Sequence, residues 1–386
     1  MGETQIRCID CGRAYPETGA PYRCPDCGGL FDYSRPWTLD PAQVDSSRRG
    51  VFRFTPTLGA NSASANFVVR TGSPQEPHLA GYHPAPQDDD LSLGEGDTPL
   101  VWAETFGRKV AFKCEYQNPT GSFKDRGSAA LVAFLKSRGV TEAVEDSSGN
   151  AGASFAAYAA RAGIKARIFA PESASGPKRR QIEAYGAEFV PVPGPRAKAS
   201  EAVEKAAQDG AVYASHAYLP FNLPGYATIA YEIVEQLGRM PGAVLIPAGQ
   251  GGLLLGAWRG FEALNQAGAG NEAPRMLGVQ AQACSPLTKD EGGRMKDENP
   301  TLAEGVRVSH PLRKKAVREA VEKSGGTWVA VAEKDILPGR DALAKRGFYV
   351  EPTSALVWKA LEETISFLPD PVVVILTGSG LKFLGG

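Results

Sequence analysis

Strand-like and helix-like segments alternate in the sequence from residue 93 to the C-terminus. Short apolar runs bounded by glycine or proline predict buried strands, and amphipathic stretches between them predict helices. The predicted strands include residues 166–170, 188–192, 244–247, 277–281 and 372–376. The predicted helices include residues 151–162, 197–208, 226–237, 315–323 and 353–367. This alternation predicts an α/β fold with mainly parallel sheets.

Segment 93–386 is too long for one comfortable hydrophobic core. We therefore expect two α/β lobes with a cleft between them, where ligands usually bind. The small lobe is predicted at about residues 118–215, and the large lobe is predicted to consist of the remainder of the segment. Residues 34–92 are rich in proline and small polar residues, which predicts an irregular segment wrapped over the body and anchored by Phe52, Phe54 and Phe67.

Four of the six cysteines fall within the first 27 residues, as Cys8, Cys11, Cys24 and Cys27. These two C-x-x-C pairs can present four thiolates to one zinc ion, as in zinc ribbons. We therefore predict a structural zinc ribbon over residues 1–33; a degenerate ribbon without metal is the alternative. Its basic residues are offset by acidic ones, which favours a structural or interdomain role over nucleic-acid binding.

The charge balance and the scarcity of cysteine narrow the partners and the compartment. The 42 basic and 43 acidic residues leave a net charge of -1, which provides no long-range attraction for nucleic acid or anionic membranes. A small polar molecule is the expected partner. The sparse cysteines and the absence of a signal-peptide pattern predict a cytoplasmic protein, and no apolar run is suited to span a membrane.

Lys124 lies at the start of a predicted helix, directly after the turn-forming segment 118–123. The positive end of a helix disfavours an ammonium group there, and burial would lower the pKa of this lysine further. A neutral amine of this kind suits Schiff-base formation. The alternative is a surface lysine paired with Asp125.

Residues 146–152 lead into the helix predicted at 151–162. Main-chain N–H groups at a helix N-terminus, together with the hydroxyls of Ser147 and Ser148, can hold a carboxylate. Gly149 lets a ligand approach closely. The alternative is an ordinary helix cap made by Ser148 or Asn150.

A strand, a glycine turn and a helix follow one another at residues 243–256. Successive main-chain N–H groups of such a turn can surround a phosphate. The glycine spacing differs from the dinucleotide fingerprint and no G-K-[ST] follows, so a single phosphate fits better than a pyrophosphate. The strand predicted at 372–376 brings the hydroxyl of Thr377 to the same edge, with a plain strand-terminal turn as the alternative.

Taken together, these motifs meet the needs of pyridoxal phosphate bound to an amino acid. The chain resembles the fold-type II pyridoxal-phosphate enzymes and, among them, the threonine synthase family. The four-cysteine segment resembles the N-terminal ribbon of many threonine-synthase-like proteins. The similar segments in the body are residues 94–100, 118–126, 147–152, 249–252, 301–307, 351–354 and 376–382.

The resemblance implies a role for each residue of the predicted site. Lys124 would carry the cofactor as a Schiff base and move protons at the substrate α-carbon. Asn150 would contact the pyridoxal 3-oxygen and, with Ser147 and Ser148, the substrate carboxylate. Thr377 would face the pyridine nitrogen, where a hydroxyl favours elimination or replacement chemistry. The cofactor phosphate would be bound by Gly249, Gln250, Gly251, Gly252 and Leu253. The resemblance also implies a homodimer.

Two positions depart from the usual threonine synthase pattern, since Ala151 stands where threonine is common and Ala227 where lysine is often found. Three functions therefore stay open. The first is a threonine synthase, which converts O-phosphohomoserine and water to threonine and phosphate. The second is a threonine or serine dehydratase or a cysteate-synthase-like enzyme, and the third is a non-catalytic binding protein with a vestigial enzyme body. Further candidates on the substrate side are Lys178, Arg179, His216, Asn222, Arg307 and Ser379.

Overall fold

The computed structural model describes residues 6–39, 44–45, 48, 50–57, 91–174, 176–270, 272–288 and 300–383. The strands in these ranges are β1 (Ile6–Cys8), β2 (Phe31–Tyr33), β3 (Leu100–Thr105), β4 (Arg108–Lys113), β5 (Glu142–Glu145), β6 (Lys165–Pro171), β7 (Glu188–Val192), β8 (Ala243–Pro247), β9 (Arg275–Ala281), β10 (Thr327–Val331) and β11 (Val372–Ile375). The helices are α1 (Lys124–Ser137), α2 (Asn150–Ala162), α3 (Pro177–Ala184), α4 (Arg196–Gln208), α5 (Leu223–Leu237), α6 (Gly252–Gln266), α7 (Lys314–Lys323), α8 (Glu333–Ala344) and α9 (Pro352–Thr364).

The larger sheet has six strands in the order β10-β9-β8-β11-β4-β3. Neighbouring strands are parallel except for β3, which pairs antiparallel with β4 at the edge. Alternate residues of β8 and β11 pack against α5, α6 and α7 on one face and against α8 and α9 on the other. Both strands are consequently buried along their whole length, as is typical of parallel sheets.

A second, smaller sheet contains β5, β6 and β7, all parallel. The α/β fold with mainly parallel sheets is therefore confirmed, and each strand and helix predicted above has a counterpart in the structure. The helix predicted at 353–367 is α9 followed by a short 3-10 helix, Ile365–Phe367. The residue limits of the ribbon, the wrapping segment and the two lobes stay predictions. In the described ranges, no helix combines the length and the apolar character that membrane crossing requires.

Part of the predicted wrapping segment is described, as a 3-10 helix at Gly50–Thr57. Its Phe52 and Phe54 are buried, at 1% and 3% exposure, so both anchor the segment as predicted. Phe67 lies outside the described residues.

The N-terminal hairpin of β1 and β2 packs directly on the body. The Tyr15 ring meets the rings of Phe31, Phe134 and Phe221 edge-on, with centres 4.6, 5.9 and 5.0 Å apart. Both terminal nitrogens of Arg259 donate to the carboxylate of Asp32, at 2.7 and 3.0 Å. The ribbon region therefore shares its hydrophobic core with α1 and with the segment before α5.

A fully buried ionic network joins three elements of the body around Arg126 of α1. Its guanidinium makes two hydrogen bonds to Glu115, at 2.7 and 2.8 Å, and two to Glu232, at 2.6 and 2.7 Å. Lys113 adds an ammonium 2.7 Å from Glu232. Burial alone would raise the pKa of Glu232, but these two cations outweigh it and lower the pKa to about 2. Two buried cations thus balance two buried carboxylates, and α1 is tied to β4 and α5.

Replacing Arg126 with methionine is expected to lower the free energy of unfolding by about 3–5 kcal/mol, because it leaves two carboxylates buried without a full partner. Urea unfolding followed by fluorescence measures the change. Lys165→Met, which breaks the exposed pair with Glu142, is the matched control and should leave stability nearly unchanged.

The effect of Arg126→Met should also depend on pH, with a sign fixed by Glu232. The stabilisation from its lowered pKa is complete above the ordinary value of 4.5 and is lost as the pH falls towards about 2. The difference between wild type and variant should therefore shrink in acid. A difference that is small at pH 7, or that grows below pH 4, would contradict this account of the network.

Candidate active site

The loops that follow three adjacent strands, β8, β11 and β4, contain most of the predicted site. Residues 249–253 follow β8, Thr377 follows β11, and Lys124 follows β4 through a 3-10 helix at Glu115–Gln117. Parallel strands end on the same edge of a sheet, so these loops share one rim, which is where open α/β sheets bind ligands. The predicted carboxylate-binding loop follows β5 of the second sheet.

The loop before Lys124 is fixed by buried hydrogen bonds. The N–H and hydroxyl of Thr120 donate to the carboxylate of Asp125, at 2.6 and 2.5 Å. The ammonium of Lys382 donates to the Thr120 carbonyl at 2.7 Å, and the N–H of Phe123 donates to the Thr377 carbonyl at 3.0 Å. Asp125 is thus engaged within the loop and with Ser154, and the alternative of a surface pair between Lys124 and Asp125 is wrong.

Lys124 is the first residue of α1. Its amine lies 4.8 Å from the ring centre of Phe123 and 5.9 Å from that of Tyr226. Burial lowers the pKa of Lys124 to about 8; the carboxylate of Glu145 opposes this shift and the guanidinium of Arg196 adds to it. No hydrogen bond or ion pair joins this amine to another described residue. Lys124 therefore has the two properties that an attacking amine needs, an accessible neutral form and no competing partner.

The turn between β5 and α2 is shaped by main-chain contacts. Gly149 precedes the helix and no side chain caps it, so the alternative of a cap by Ser148 or Asn150 is wrong. The hydroxyl of Ser147 accepts the N–H of Gly149 at 3.2 Å. A Cβ at Gly152 would collide with the carbonyl oxygen of Ser147, so this turn requires glycine at that position.

Asn150, the first residue of α2, has one engaged and one free end. Its Nδ2 donates to Oε1 of Glu351 at 2.7 Å. Its Oδ1 is buried without a hydrogen-bond partner among the described residues. A buried polar atom without a partner costs free energy, so a ligand atom is the expected complement.

The glycine turn after β8 leaves a row of donors unused. The N–H groups of residues 249–253 have no acceptor in the part of the chain that the structure describes. Gly251 has a φ of +81°, and a Cβ there would press against Val317. Oε1 of Gln250 accepts the N–H of Leu312 at 3.1 Å, which fixes its side chain to the segment before α7. Free donors at the start of α6 suit a phosphate dianion.

Thr377 is 2% exposed, and its hydroxyl has no hydrogen-bond partner among the described residues. Its N–H donates to the hydroxyl of Ser354 at 2.9 Å. The ring of Tyr226 joins the two sides of the rim, since it lies beside the Lys124 amine and a Cβ at Gly252 would approach it to 3.6 Å. Lys124, the glycine turn and Thr377 are therefore parts of one site.

The further candidates fall into two groups. Two of them contact buried carboxylates beside the site: the ammonium of Lys178 lies 3.2 Å from Oε2 of Glu351, and Nδ1 of His216 lies 2.5 Å from Oε1 of Glu145. The others are engaged elsewhere or face solvent. Arg179 binds Glu183 and lies over Phe189, Asn222 donates to the carbonyl of His216, Ser379 accepts the N–H of Leu381, and Arg307 is exposed.

Three charged residues of this region were missed by the sequence analysis, namely Glu145, Arg196 and Glu351. Glu145 ends β5 and is fully buried, and its Oε2 accepts the N–H of Ser147 at 2.5 Å. An acidic residue at the end of an apolar strand was the only available signal. Glu351 precedes the proline that begins α9, and nothing in that short motif indicates that it contacts Asn150.

Comparison with known proteins places this geometry in a family. Residues 91–378 match the family described as pyridoxal-phosphate dependent enzyme. The threonine synthase of Methanocaldococcus jannaschii is 33% identical over 399 aligned positions, which cover 97% of this chain and 92% of that protein. The threonine synthase of a Bacillus species is 36% identical, over 76% of this chain and 85% of that protein.

Among solved structures, a threonine deaminase from the organism abbreviated T.th. superposes with a TM-score of 0.65 at 28% identity. This match covers 75% of this chain and 94% of that one. The unused phosphate donors, the free Lys124 amine and the unpartnered Thr377 hydroxyl agree with the family assignment. The chain belongs to the pyridoxal-phosphate-dependent enzymes and, within them, to the threonine synthase family.

Proposed function

We propose that this protein is a threonine synthase that converts O-phosphohomoserine and water to threonine and phosphate. The observation that carries the proposal is the similarity to the Methanocaldococcus jannaschii threonine synthase, which extends over 97% of this chain. The N-terminal cysteine segment is therefore included in the similarity. The match to threonine deaminase covers 75% of the chain and leaves a quarter of it unaccounted for.

The cofactor fits the polar atoms that the protein leaves without partners. The N–H groups of residues 249–253 would hold the phosphate, Asn150 the 3-oxygen and Thr377 the pyridine nitrogen. When bound, pyridoxal phosphate withdraws electrons from the α-carbon of an attached amino acid. Lys124 carries the cofactor and then holds or moves the proton at that carbon, for which a pKa of about 8 suits it.

The substrate would be held at both of its ends. Ser147, Ser148 and the N–H groups at the start of α2 would bind its carboxylate. Its phosphate needs a charge-assisted donor, and Lys178 is the candidate because its ammonium lies beside the Glu351 that contacts Asn150. Ala227 is fully buried where α5 packs on α6, so a lysine there would have to place its charge in the core.

A threonine or serine dehydratase is the second candidate. It is favoured by the superposition on threonine deaminase and by the loss of two polar groups at Ala151 and Ala227. The same cofactor site would serve both reactions. The two functions differ in whether the cleft binds a second phosphate.

We also propose that the four cysteines bind one structural zinc ion. The sulfurs of Cys8 and Cys27 lie 3.5 Å apart, those of Cys11 and Cys24 lie 3.6 Å apart, and all four fall within 4.8 Å of one another. Thiolates around a tetrahedral zinc lie about 3.8 Å apart, given Zn–S bonds of about 2.3 Å. A homodimer in the cytoplasm, as the resemblance and the sparse cysteines indicate, completes the proposal.

Lys124 is tested by the pH dependence of cofactor capture. Only the neutral amine attacks, so the rate at which cofactor-free protein binds pyridoxal phosphate should rise about tenfold per pH unit at low pH and level off above about 8. Borohydride reduction should then label Lys124, and Lys124→Ala should lose the visible absorbance band. Lys165→Met should behave as wild type. Label on another lysine, or a rate that climbs to pH 10, would contradict the assignment.

The substrate is tested with purified, cofactor-loaded protein and O-phosphohomoserine. Threonine and phosphate should appear in equal amounts, and Lys178→Met should lower kcat/KM about ten- to a hundredfold, as expected for the loss of one charge-assisted contact. Arg180→Met on the same helix is the matched control. If no threonine forms while threonine or serine is converted to a keto acid, the dehydratase assignment replaces this one.

Metal analysis of purified protein should find about one zinc per chain. Cys24→Ser should lose the metal and unfold the ribbon, because three ligands do not close a structural site. Removing the ribbon would expose Phe134 and Phe221, so the thermal midpoint of the body should fall as well. Cys284→Ser, outside the ribbon, should keep the metal. A protein without metal whose ribbon stays folded would refute the site.

A further inference from the structure

The carboxylate of Glu351 occupies a buried position between three helices. Glu351 is 2% exposed and directly precedes α9. Its N–H donates to the carbonyl of Gly378 at 3.0 Å, which fixes its main chain beside the strand end that contains Thr377. A Cβ at Gly378 would collide with Oε1 of Glu351, so the glycine provides the space that the carboxylate fills.

Each carboxylate oxygen faces the first turn of a different helix. Oε1 accepts a hydrogen bond from Nδ2 of Asn150, the first residue of α2, at 2.7 Å. Oε2 lies 3.2 Å from the ammonium of Lys178, the second residue of α3, which is 14% exposed. Helix N-termini stabilise a nearby negative charge, so the helix starts and Lys178 together support an ionised Glu351.

The other charged groups around Glu351 are Lys382 and Asp125. Burial lowers the pKa of Lys382 to about 8, while the carboxylates of Asp125 and Glu351 oppose that shift. The Lys382 ammonium donates to the Thr120 carbonyl, and Asp125 binds Thr120 and Ser154. Both groups are therefore committed to the Lys124 loop, and Lys178 is the cation that contacts Glu351 directly.

The contact with Glu351 decides which way the Asn150 amide points. An ionised carboxylate only accepts hydrogen bonds, so it can bind the NH2 end of the amide and not the oxygen end. One N–H of Nδ2 is used in this way, and the second N–H remains for another acceptor. Without Glu351, the amide would be free to turn and present its oxygen instead.

We propose that Glu351 is a positioning residue that fixes the amide of Asn150 for its contact with the cofactor, and that Lys178 neutralises Glu351 there. The inference rests on the cofactor placement proposed above and is independent of the choice of substrate. A carboxylate next to the electron-rich 3-oxygen would repel it, and the paired ammonium removes that repulsion. Orientation and charge balance are thus supplied by two residues that lie far apart in the sequence.

Position and charge are separable by variants at the two residues. Glu351→Ala removes the acceptor and should weaken pyridoxal phosphate binding about ten- to a hundredfold. Glu351→Gln keeps an acceptor for Asn150, so its affinity should stay within about threefold of wild type. The readout is cofactor affinity, from absorbance titration of cofactor-free protein, and no substrate is needed.

Charge is read from the pH at which the visible absorbance of the bound cofactor changes. A nearby negative charge favours the protonated form of a group, so Glu351→Gln should lower this midpoint by roughly half a unit to one unit. Lys178→Met removes a positive charge and should raise the midpoint by a similar amount. Arg180→Met on α3 and Glu362→Gln on α9, both exposed, are the controls and should leave it unchanged.

Opposite shifts in the two variants, together with rescue of affinity by glutamine but not alanine, support the proposal. Shifts of the same sign, no shift, or equal loss of affinity in Glu351→Ala and Glu351→Gln overturn it. If Glu351→Gln does not fold, Lys178→Met decides alone, since only a raised midpoint agrees with the proposal. Failure of the cofactor placement itself is recognised separately, because wild-type protein would then show no borohydride label at Lys124.

Discussion

The pairing of Arg126 with Glu115 and Glu232 holds together the elements that build the site. Arg126 lies two residues after Lys124 on α1, so the position of the lysine is set by four buried hydrogen bonds on its own helix. Glu115 connects this helix to the end of β4, and Glu232 connects it to α5. Charged groups without water must be paired, and this requirement restricts α1 to one arrangement.

The same helix explains why Lys124 can be reactive while its neighbours are not. Three consecutive charged residues begin α1, and each has a different environment. Asp125 is bound by the loop before it, Arg126 is bound by two carboxylates, and Lys124 is left beside two aromatic rings. An ammonium gains little there compared with water, which is why its pKa falls.

Local features of the site could be predicted from the sequence, and contacts across long separations could not. Turns, strand ends and helix starts depend on neighbouring residues, so the positions of Lys124, Gly251 and Thr377 followed from short motifs. The contact of Asn150 with Glu351 joins residues 201 positions apart. Which of two acidic residues meets an amide depends on how the sheets pack, and a single sequence holds no record of that. The partners of Arg126 were missed for the same reason.

The ribbon and the phosphate-binding turn are connected through the segment before α7. Arg313 donates to the carbonyl of Phe31 at 2.9 Å and to that of Tyr218 at 2.8 Å, which lies two residues after His216. Its neighbour Leu312 donates its N–H to Gln250 in the turn. One short stretch of chain therefore contacts the ribbon, the loop of His216 and the glycine turn at once. Because the N–H groups of that turn must stay aligned to bind a phosphate, the order of the ribbon contributes to the order of the site through residues that touch no ligand themselves.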